Sequence, residues 1–238
     1  MPRSARAILF DLDDTLYPLR RFIFSGFASV AKSLAAQYGI DAAAAYWMMR
    51  RAFTSAARGR ELQMCLERHR LPLGALPSLL KLMRHHRPSL RLPPASRDVL
   101  ASLRPEWRIG IVTNGVPAIQ ARKVEALGLP SLVDLIVFAA EHGSGAGKPE
   151  PHAFVFAAAS LGAGRSRTVF VGDDERADVA GATGVGMRSI HLRARTSEGR
   201  VMSAADAVVR SLREVPSIAA SLVDGANLVS RVGSRDAA

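Results

Sequence analysis

Five short apolar runs recur along the chain, each bounded by Gly, Asn, Asp or Pro. They are rich in β-branched and aromatic residues, and their apolar character is nearly continuous instead of alternating. Such runs are typical of parallel strands that are covered on both faces. The predicted strands are residues 7–12, 108–113, 134–138, 168–172 and 187–192.

Segments with helical spacing separate these runs. Residues 117–129 and 151–163 each have a Pro near the start and a Gly near the end, which is the usual punctuation of an α-helix. Alternation of strand and helix favours an open parallel sheet with helices on both faces. We therefore expect an α/β protein with a Rossmann-like open parallel sheet.

A long segment without strand character follows the first predicted strand. From Tyr17 to about Pro93 the pattern predicts four helices separated by Gly or Pro, over residues 20–40, 42–59, 61–70 and 75–86. The simplest arrangement is an all-helical subdomain, residues 17–93, inserted into a core of residues 1–16 and 94–215. Residues 216–238 are small, polar and weakly patterned, which predicts a loose C-terminal helix or tail.

The formal net charge of +11 is concentrated around this helical insertion. Between Tyr17 and Arg97 there are 14 Lys or Arg residues against three acids, whereas the rest of the chain has 18 of each sign. A basic segment of this kind can bind nucleic acid or attract an anionic substrate. An arginine-rich, solvent-facing surface explains it equally well, since only four of the 32 basic residues are lysine.

Composition excludes several classes of protein. No apolar run among the 238 residues reaches the length of a membrane span. The first residues lack the apolar region and cleavage site of a signal peptide, so we expect a cytoplasmic protein without a membrane partner. Cys65 is the single cysteine, which excludes an internal disulfide and a cysteine-based zinc site.

Polar residues follow the carboxyl ends of the predicted strands or lie on the loops beyond them. In chain order they are Asp11, Asp13, Thr15, Thr113, Asn114, Lys148, Asp173, Asp174 and Asp178. Because the carboxyl ends of parallel strands meet at one edge of a sheet, we expect these residues to line a single crevice.

Three glycines precede Lys148 and suggest a nucleotide-binding loop, but their spacing excludes a P-loop. That motif requires a glycine at the position of His142 and a hydroxyl residue at the position of Pro149. Lys148 therefore needs a different role.

The expected crevice suits phosphoryl chemistry. Asp11, Asp13 and Asp173 would repel one another unless a cation joined them, and hard carboxylate oxygens suit Mg²⁺. Lys148 and the hydroxyl of Thr113 supply donors for an anionic group. One carboxylate can attack phosphorus, while a second can protonate the leaving oxygen and then deprotonate water.

The motifs DLDDT, VTNG, GKPEP and GDDERAD resemble, in this order, the four motifs of the haloacid dehalogenase (HAD) superfamily. The resemblance implies that Asp11 is the nucleophile and a Mg²⁺ ligand, and that Asp173 completes the metal site. It implies that Asp13 is the general acid/base, which also binds the metal through its backbone carbonyl. The resemblance also implies that Lys148 is catalytic, because it orients the nucleophile and the phosphate. The remaining implied roles are phosphate binding for Thr15, Thr113 and Asn114, and support of Lys148 or the metal site for Asp174 and Asp178.

An aspartate at position 13 distinguishes subclasses of this superfamily. Members that act on phosphorus keep it because a leaving alkoxide requires an acid, whereas the dehalogenases do not. The resemblance thus predicts a Mg²⁺-dependent phosphatase that hydrolyses small phosphate monoesters through an aspartyl-phosphate. The helical insertion resembles the cap of one branch, which closes over a phosphorylated metabolite, and Arg20 is our candidate cap contact.

Three alternatives remain open at this point. The stretch FDLDDTLYP resembles nucleotidases that act on pyrimidine nucleoside monophosphates. A sugar phosphomutase shares the first half-reaction. A basic nucleic-acid-binding protein is the alternative from a different class, although the full set of motifs argues against a nucleic-acid partner. The loop from Glu141 to Lys148 is longer than is typical of the family, and nothing in the sequence indicates an oligomeric state.

Overall fold

Parallel strands form one sheet at the centre of the fold. The computed structural model describes residues 5–193 and 203–232, with side chains up to residue 225. Within these ranges the sheet has six strands in the order β3-β2-β1-β4-β5-β6. The strands are β1 Ala5–Phe10, β2 Arg108–Thr113, β3 Leu135–Phe138, β4 Ala163–Gly172, β5 Arg188–Leu192 and β6 Ala207–Val209. The predicted open parallel α/β core is confirmed.

Two differences from the predicted strands have simple causes. Strand β6 was not predicted, because three residues are too few to show a periodic pattern. Strand β4 begins at Ala163, before the predicted start, and its first residues pair with Ala5 across an irregularity in the ladder. Residues 164–166 in this extension are exposed and polar or glycine, so they lack the apolar signal of a buried strand.

The chain divides into two compact units, one comprising Met1–Pro18 and Arg91–Ala238 and the other Leu19–Leu90. The second, which we call the helical unit, contains α1 Arg20–Tyr38, α2 Ala42–Phe53, α3 Glu61–Arg68 and α4 Leu76–His85. Its apolar core includes Phe27, Leu34, Met49 and Leu66, all fully buried.

Helix α2 ends at Phe53, before the predicted residue 59. The hydroxyl of Thr54 donates to the carbonyl of Arg51, and the hydroxyl of Ser55 donates to the carbonyl of Ala52. These bonds satisfy carbonyl groups that a continuing helix would otherwise use. At the other end, Asp41 caps α2 by accepting from the backbone N–H groups of Ala43 and Ala44.

The remaining helices belong to the unit that contains the sheet. They are α5 Pro94–Leu103, α6 Pro117–Ala126, α7 Pro151–Ser160, a π-helical segment Glu175–Ala180 that continues into α8 Gly181–Gly184, and α9 Val215–Val232. Helix α9 buries Val215, Ala219 and Val223, which lie at helical spacing, and it packs against β4 and β5. No helix among the described residues is long and apolar enough to cross a membrane.

Residues on both faces of the central strands are buried. Along β1, Ile8 and Phe10 face one side of the sheet and Leu9 faces the other, and all three are inaccessible to solvent. The register places Phe10 opposite Ile111 of β2 and Val171 of β4. The residues that follow these strands therefore emerge side by side at one edge of the sheet.

Candidate active site

Asp11 lies immediately after β1, and its buried carboxylate contacts a buried lysine. The backbone N–H of Asp11 still donates to the carbonyl of Val171 at 2.9 Å, which fixes the residue against β4. Lys148 Nζ lies 2.6 Å from Asp11 Oδ1 and 2.7 Å from Asp178 Oδ1. A lysine is rarely buried without a partner, so these two ion pairs explain how the Lys148 ammonium tolerates its position.

The glycine-rich loop before Lys148 sets the position of its backbone. Gly143, Gly145 and Gly147 have φ of 67°, 88° and 76°, in the left-handed region that glycine tolerates best. A Cβ atom at Gly147 would lie 2.6 Å from Asn114 Oδ1. Asn114 in turn accepts from the Lys148 N–H at 2.7 Å and donates to the Lys148 carbonyl at 2.9 Å. The last glycine therefore lets the loop approach Asn114 closely enough to present Lys148.

The same loop is held together by its own side chains. Ser144 Oγ donates to Glu150 Oε1 at 2.5 Å and accepts from the N–H of Ala146 at 3.3 Å. Glu150 also donates its backbone N–H to the carbonyl of Gly147. The additional residues before Lys148 thus form a closed, internally bonded turn.

Asp178 lies on the π-helical segment and is almost completely buried. Its Oδ2 accepts from the backbone N–H of Asp174 at 3.1 Å, while its Oδ1 contacts Lys148. Gly172 makes this arrangement possible, since a Cβ atom there would lie 2.2 Å from Asp178 Oδ2. Asp174 itself is exposed and caps the segment by accepting from the N–H groups of Arg176 and Ala177.

Among the residues that the structure describes, three carboxylates form a group that could hold a metal ion. Oxygen atoms of Asp11, Asp173 and Asp178 all lie within 4.8 Å of one another. Carboxylate oxygens are the ligands that Mg²⁺ prefers, so the chemistry of this donor set fits that cation. Thr15 borders the group, with its hydroxyl donating to Asp173 Oδ1 at 3.4 Å.

The electrostatics of the site reflect this crowding of acids. Burial, together with the nearby Asp178 and Asp13 carboxylates, outweighs the attraction of Lys148 and raises the pKa of Asp11 to about 7. Desolvation and the Asp178 and Asp14 carboxylates raise the pKa of Asp173 to about 6. Burial alone would lower the pKa of Lys148, but its two carboxylate partners outweigh burial and raise it. Burial is the largest cause of both raised aspartate pKa values, and a divalent cation would offset it together with the repulsion between the acids.

The Asp13 carboxylate makes a separate set of contacts. Its two oxygens lie 3.0 Å and 2.7 Å from Lys123 Nζ, and Gln120 Nε2 donates to Oδ2 at 3.0 Å. The Tyr17 hydroxyl donates to Oδ1 at 2.7 Å. Burial and the neighbouring Asp13 carboxylate strongly raise the pKa of Tyr17, so it stays a protonated donor. Gln120 also donates to Thr113 Oγ1 at 2.6 Å, which links Asp13 to the end of β2.

No role was predicted from the sequence for Gln120, Lys123 or His191. Gln120 and Lys123 lie one turn apart on α6, and both are buried. A buried polar side chain on a helix indicates a functional or structural partner, but the sequence alone does not show that these two residues are buried. His191 at the end of β5 has Nε2 3.0 Å from the carbonyl of Asp173 and Nδ1 2.9 Å from Glu175 Oε2. Arg20, the first residue of α1, is exposed in the helical unit.

Comparison with known proteins identifies a family for this chain. A model of the haloacid dehalogenase-like hydrolases matches residues 5–186. The chain is 32% identical over 202 residues to ribulose-1,5-bisphosphate 5-phosphatase of Halopiger xanaduensis, which covers 78% of this chain and 84% of that protein. It is 28% identical over 205 residues to glyceraldehyde 3-phosphate phosphatase of Methanothermobacter thermautotrophicus, which covers 81% and 88%.

A solved structure shows the same fold. The crystal structure of a HAD phosphatase from Thermococcus onnurineus superposes with a TM-score of 0.58 at 27% identity, covering 90% of this chain and 97% of the other. The family predicted from the four motifs is thus confirmed. The chain belongs to the haloacid dehalogenase-like hydrolases.

Proposed function

We propose that this protein is a Mg²⁺-dependent phosphatase that hydrolyses small phosphate monoesters through a phosphorylated Asp11. The observation that carries the proposal is the contact of one buried ammonium, that of Lys148, with both Asp11 and Asp178 beside Asp173. This arrangement provides a nucleophilic carboxylate, a fixed cation and a group of hard oxygen ligands at one edge of the sheet.

The chemistry divides into two displacements at phosphorus. An oxygen of Asp11 forms a bond to phosphorus, the bond from phosphorus to the leaving oxygen breaks, and that oxygen keeps the electron pair and takes a proton from the Asp13 carboxyl group. Water then attacks the phosphorylated Asp11, Asp13 accepts a proton from it, and the bond between Asp11 and phosphorus breaks. Lys148, Thr113 and the backbone around Asn114 supply donors for the phosphoryl oxygens.

We assign the metal site to Asp11, Asp173 and the backbone carbonyl of Asp13, with Asp178 supporting it through Lys148. When bound there, Mg²⁺ would neutralise charge on the phosphoryl oxygens. The closeness of the Asp11 and Asp173 oxygens supports two of these ligands, and the carbonyl of Asp13 is proposed from the resemblance of the first motif to that of the family.

Two relatives support a small phosphorylated metabolite as the substrate. They are named as phosphatases of ribulose 1,5-bisphosphate and of glyceraldehyde 3-phosphate, and each alignment covers more than three quarters of both chains. A small sugar or triose phosphate is therefore the substrate class we propose. Inorganic phosphate as the product distinguishes this activity from that of a phosphomutase.

The helical unit is our candidate for substrate selection. Residues 19–90 contain 12 Lys and Arg against three acids, a net charge of +9, which favours anionic substrates. We propose that it acts as the cap and that Arg20 contacts the substrate. Arg20→Ala should then raise KM for a bisphosphate, whereas Arg87→Ala, at another exposed arginine of this unit, should not.

Replacement of the nucleophile tests the main proposal. Wild-type protein with MgCl₂ should release inorganic phosphate from p-nitrophenyl phosphate, and Asp11→Asn should abolish this release. Asp98→Asn, at an exposed aspartate on α5, is the matched control and should retain the wild-type rate. An Asp11→Asn protein that hydrolyses the substrate at the wild-type rate would refute the proposal.

A further inference from the structure

Helix α6 buries two polar side chains. Gln120 and Lys123 are only 2% and 5% exposed, and they lie three positions apart, so they share one face of the helix. A buried lysine loses its hydration and a large part of its side-chain entropy, and this arrangement is rare unless a charged partner compensates. Asp13, a residue 110 positions earlier in the chain, is a charged partner of Lys123.

The contacts to Asp13 come from two directions. Lys123 and Gln120 approach its oxygens from α6, whereas Tyr17 approaches Oδ1 from the loop after β1. These donors fix the side chain, which would otherwise rotate about two bonds. The Asp13 side chain nevertheless keeps 23% of its surface exposed, so it can still be reached by another molecule.

The two aspartates of the first motif thus contact different lysines. Asp11 contacts Lys148 on the loop after β3, and Asp13 contacts Lys123 on α6. A nucleophile and an acid/base must act on different atoms of the substrate, so each has to be held in its own direction. Two separate lysines meet this requirement. Asp11 would have to break its ion pair with Lys148 before it could approach Lys123, and Asp13 would have to break its ion pair with Lys123 before it could approach Lys148.

We propose that Lys123 is a positioning residue that, with Gln120 and Tyr17, directs the Asp13 carboxyl group to the leaving oxygen of the substrate. This inference rests on the proposed phosphatase activity. In the first displacement the proton passes from Asp13 to the leaving oxygen while the bond from phosphorus to that oxygen breaks. The carboxylate that remains is the group that Lys123 contacts, so its new charge is stabilised where it forms.

Leaving-group dependence tests this role. An alkoxide leaving from glycerol phosphate needs a proton, whereas p-nitrophenolate is stable as an anion and leaves without one. Lys123→Met should therefore reduce kcat/KM for glycerol phosphate at least about tenfold more than for p-nitrophenyl phosphate, a part of the roughly 10²–10⁴-fold effect of a general acid. The ratio kcat/KM is the suitable quantity because it covers the steps up to departure of the leaving group.

Further variants separate positioning from a general loss of structure. Asp13→Asn should show the same selective loss, and the double variant Asp13→Asn/Lys123→Met should be no worse than Asp13→Asn, because both changes remove the same function.

Lys123→Arg keeps the positive charge and should retain part of the glycerol phosphate activity that Lys123→Met loses. Arg122→Met removes an exposed cation from the same helix and should leave both substrates unaffected. Tyr17→Phe keeps the buried ring and should give a smaller loss of the same selectivity, which preserves the test if Lys123→Met does not fold.

The possible outcomes discriminate between the two proposals. Equal losses on both substrates in Lys123→Met and Tyr17→Phe, or additive losses in the double variant, would overturn the role of Lys123 and leave the phosphatase activity standing. Absence of phosphate release by the wild-type protein from either substrate would overturn both.

Discussion

Lys148 and Asp11 are 137 positions apart in the chain, yet Lys148 Nζ lies 2.6 Å from Asp11 Oδ1. The lysine side chain is 1% exposed and also contacts Asp178, so a single buried ammonium serves two carboxylates. Removal of that ammonium would leave both acids without their counterion in a desolvated position. The ion pairs of Lys148 should therefore affect both the stability of the folded protein and the activity proposed for Asp11.

Lys148→Met should impair both catalysis and folding. Loss of the cation should reduce kcat by about 10²-fold or more, comparable to the loss of one preorganised electrostatic donor. The free energy of unfolding at pH 8 should fall by about 3–5 kcal/mol, because Asp11 and Asp178 remain buried and lose the cation that compensates them. Phosphate release and urea unfolding measure the two effects. Lys81→Met, at an exposed lysine of α4, should change neither, and a fully active Lys148→Met protein would contradict the assignment.

The metal-free protein should lose stability as the pH rises toward neutrality. The folded-state pKa of Asp11, about 7, and that of Asp173, about 6, both lie above the ordinary value of 3.8. The folded state therefore binds these protons more tightly than the unfolded state, and their stabilising contribution is complete below pH 3.8 and lost as pH rises through about 6 to 7.

Asp11→Asn removes the titrating group and isolates its share of this effect. The variant should melt at a higher temperature than wild type at pH 8 in EDTA, and the difference should shrink at pH 5.5. Thermal melting monitored by circular dichroism measures it, with Asp98→Asn as the reference for a neutralised exposed aspartate. An unchanged pH dependence in Asp11→Asn would count against the raised pKa.

Magnesium should stabilise the folded protein through the acidic group. Because the ion would bind the native site, the melting temperature at pH 8 should rise with MgCl₂ concentration. At a Mg²⁺ concentration of a hundred times Kd, the free energy of unfolding should increase by about 2.7 kcal/mol. Asp173→Asn should reduce or abolish this rise, since it removes one of the three clustered carboxylates. The same rise in wild type and Asp173→Asn would exclude Asp173 as a ligand.

Gly172→Ala should disrupt the site without touching a catalytic side chain. The added Cβ atom would meet Asp178 Oδ2 at 2.2 Å, so the Asp178 side chain must shift, and the shift disturbs its contact with Lys148. We expect a loss of stability of about 1–3 kcal/mol and a reduced kcat. Gly184→Ala is the matched control, because a Cβ atom there meets no heavy atom within 4 Å. Equal activity of the two variants would argue that the position of Asp178 does not matter.

The glycine-rich loop before Lys148 could be interpreted only in part from the sequence. Its spacing excluded a P-loop, and the structure places all three glycines at positive φ. Only the tertiary structure shows that Gly147 lies against Asn114 and that Ser144 and Glu150 close the turn. A glycine in the sequence indicates that the backbone can adopt a positive φ at that position. It does not indicate which side chain packs against the glycine, because that side chain, here Asn114, comes from a distant part of the chain.

The apolar runs were enough to predict five of the six strands of the described sheet, and the four motifs were enough to predict the family. A parallel strand that is buried on both faces needs a continuous run of apolar residues. Such a run is only a few residues long, so it can be recognised from the sequence of that segment alone. The sequence did not show that Asp13 pairs with Lys123 while Asp11 pairs with Lys148. Those pairs join residues more than a hundred positions apart. Which lysine contacts which carboxylate depends on where α6 and the loop after β3 pack in the folded chain, and no local pattern in the sequence encodes that packing.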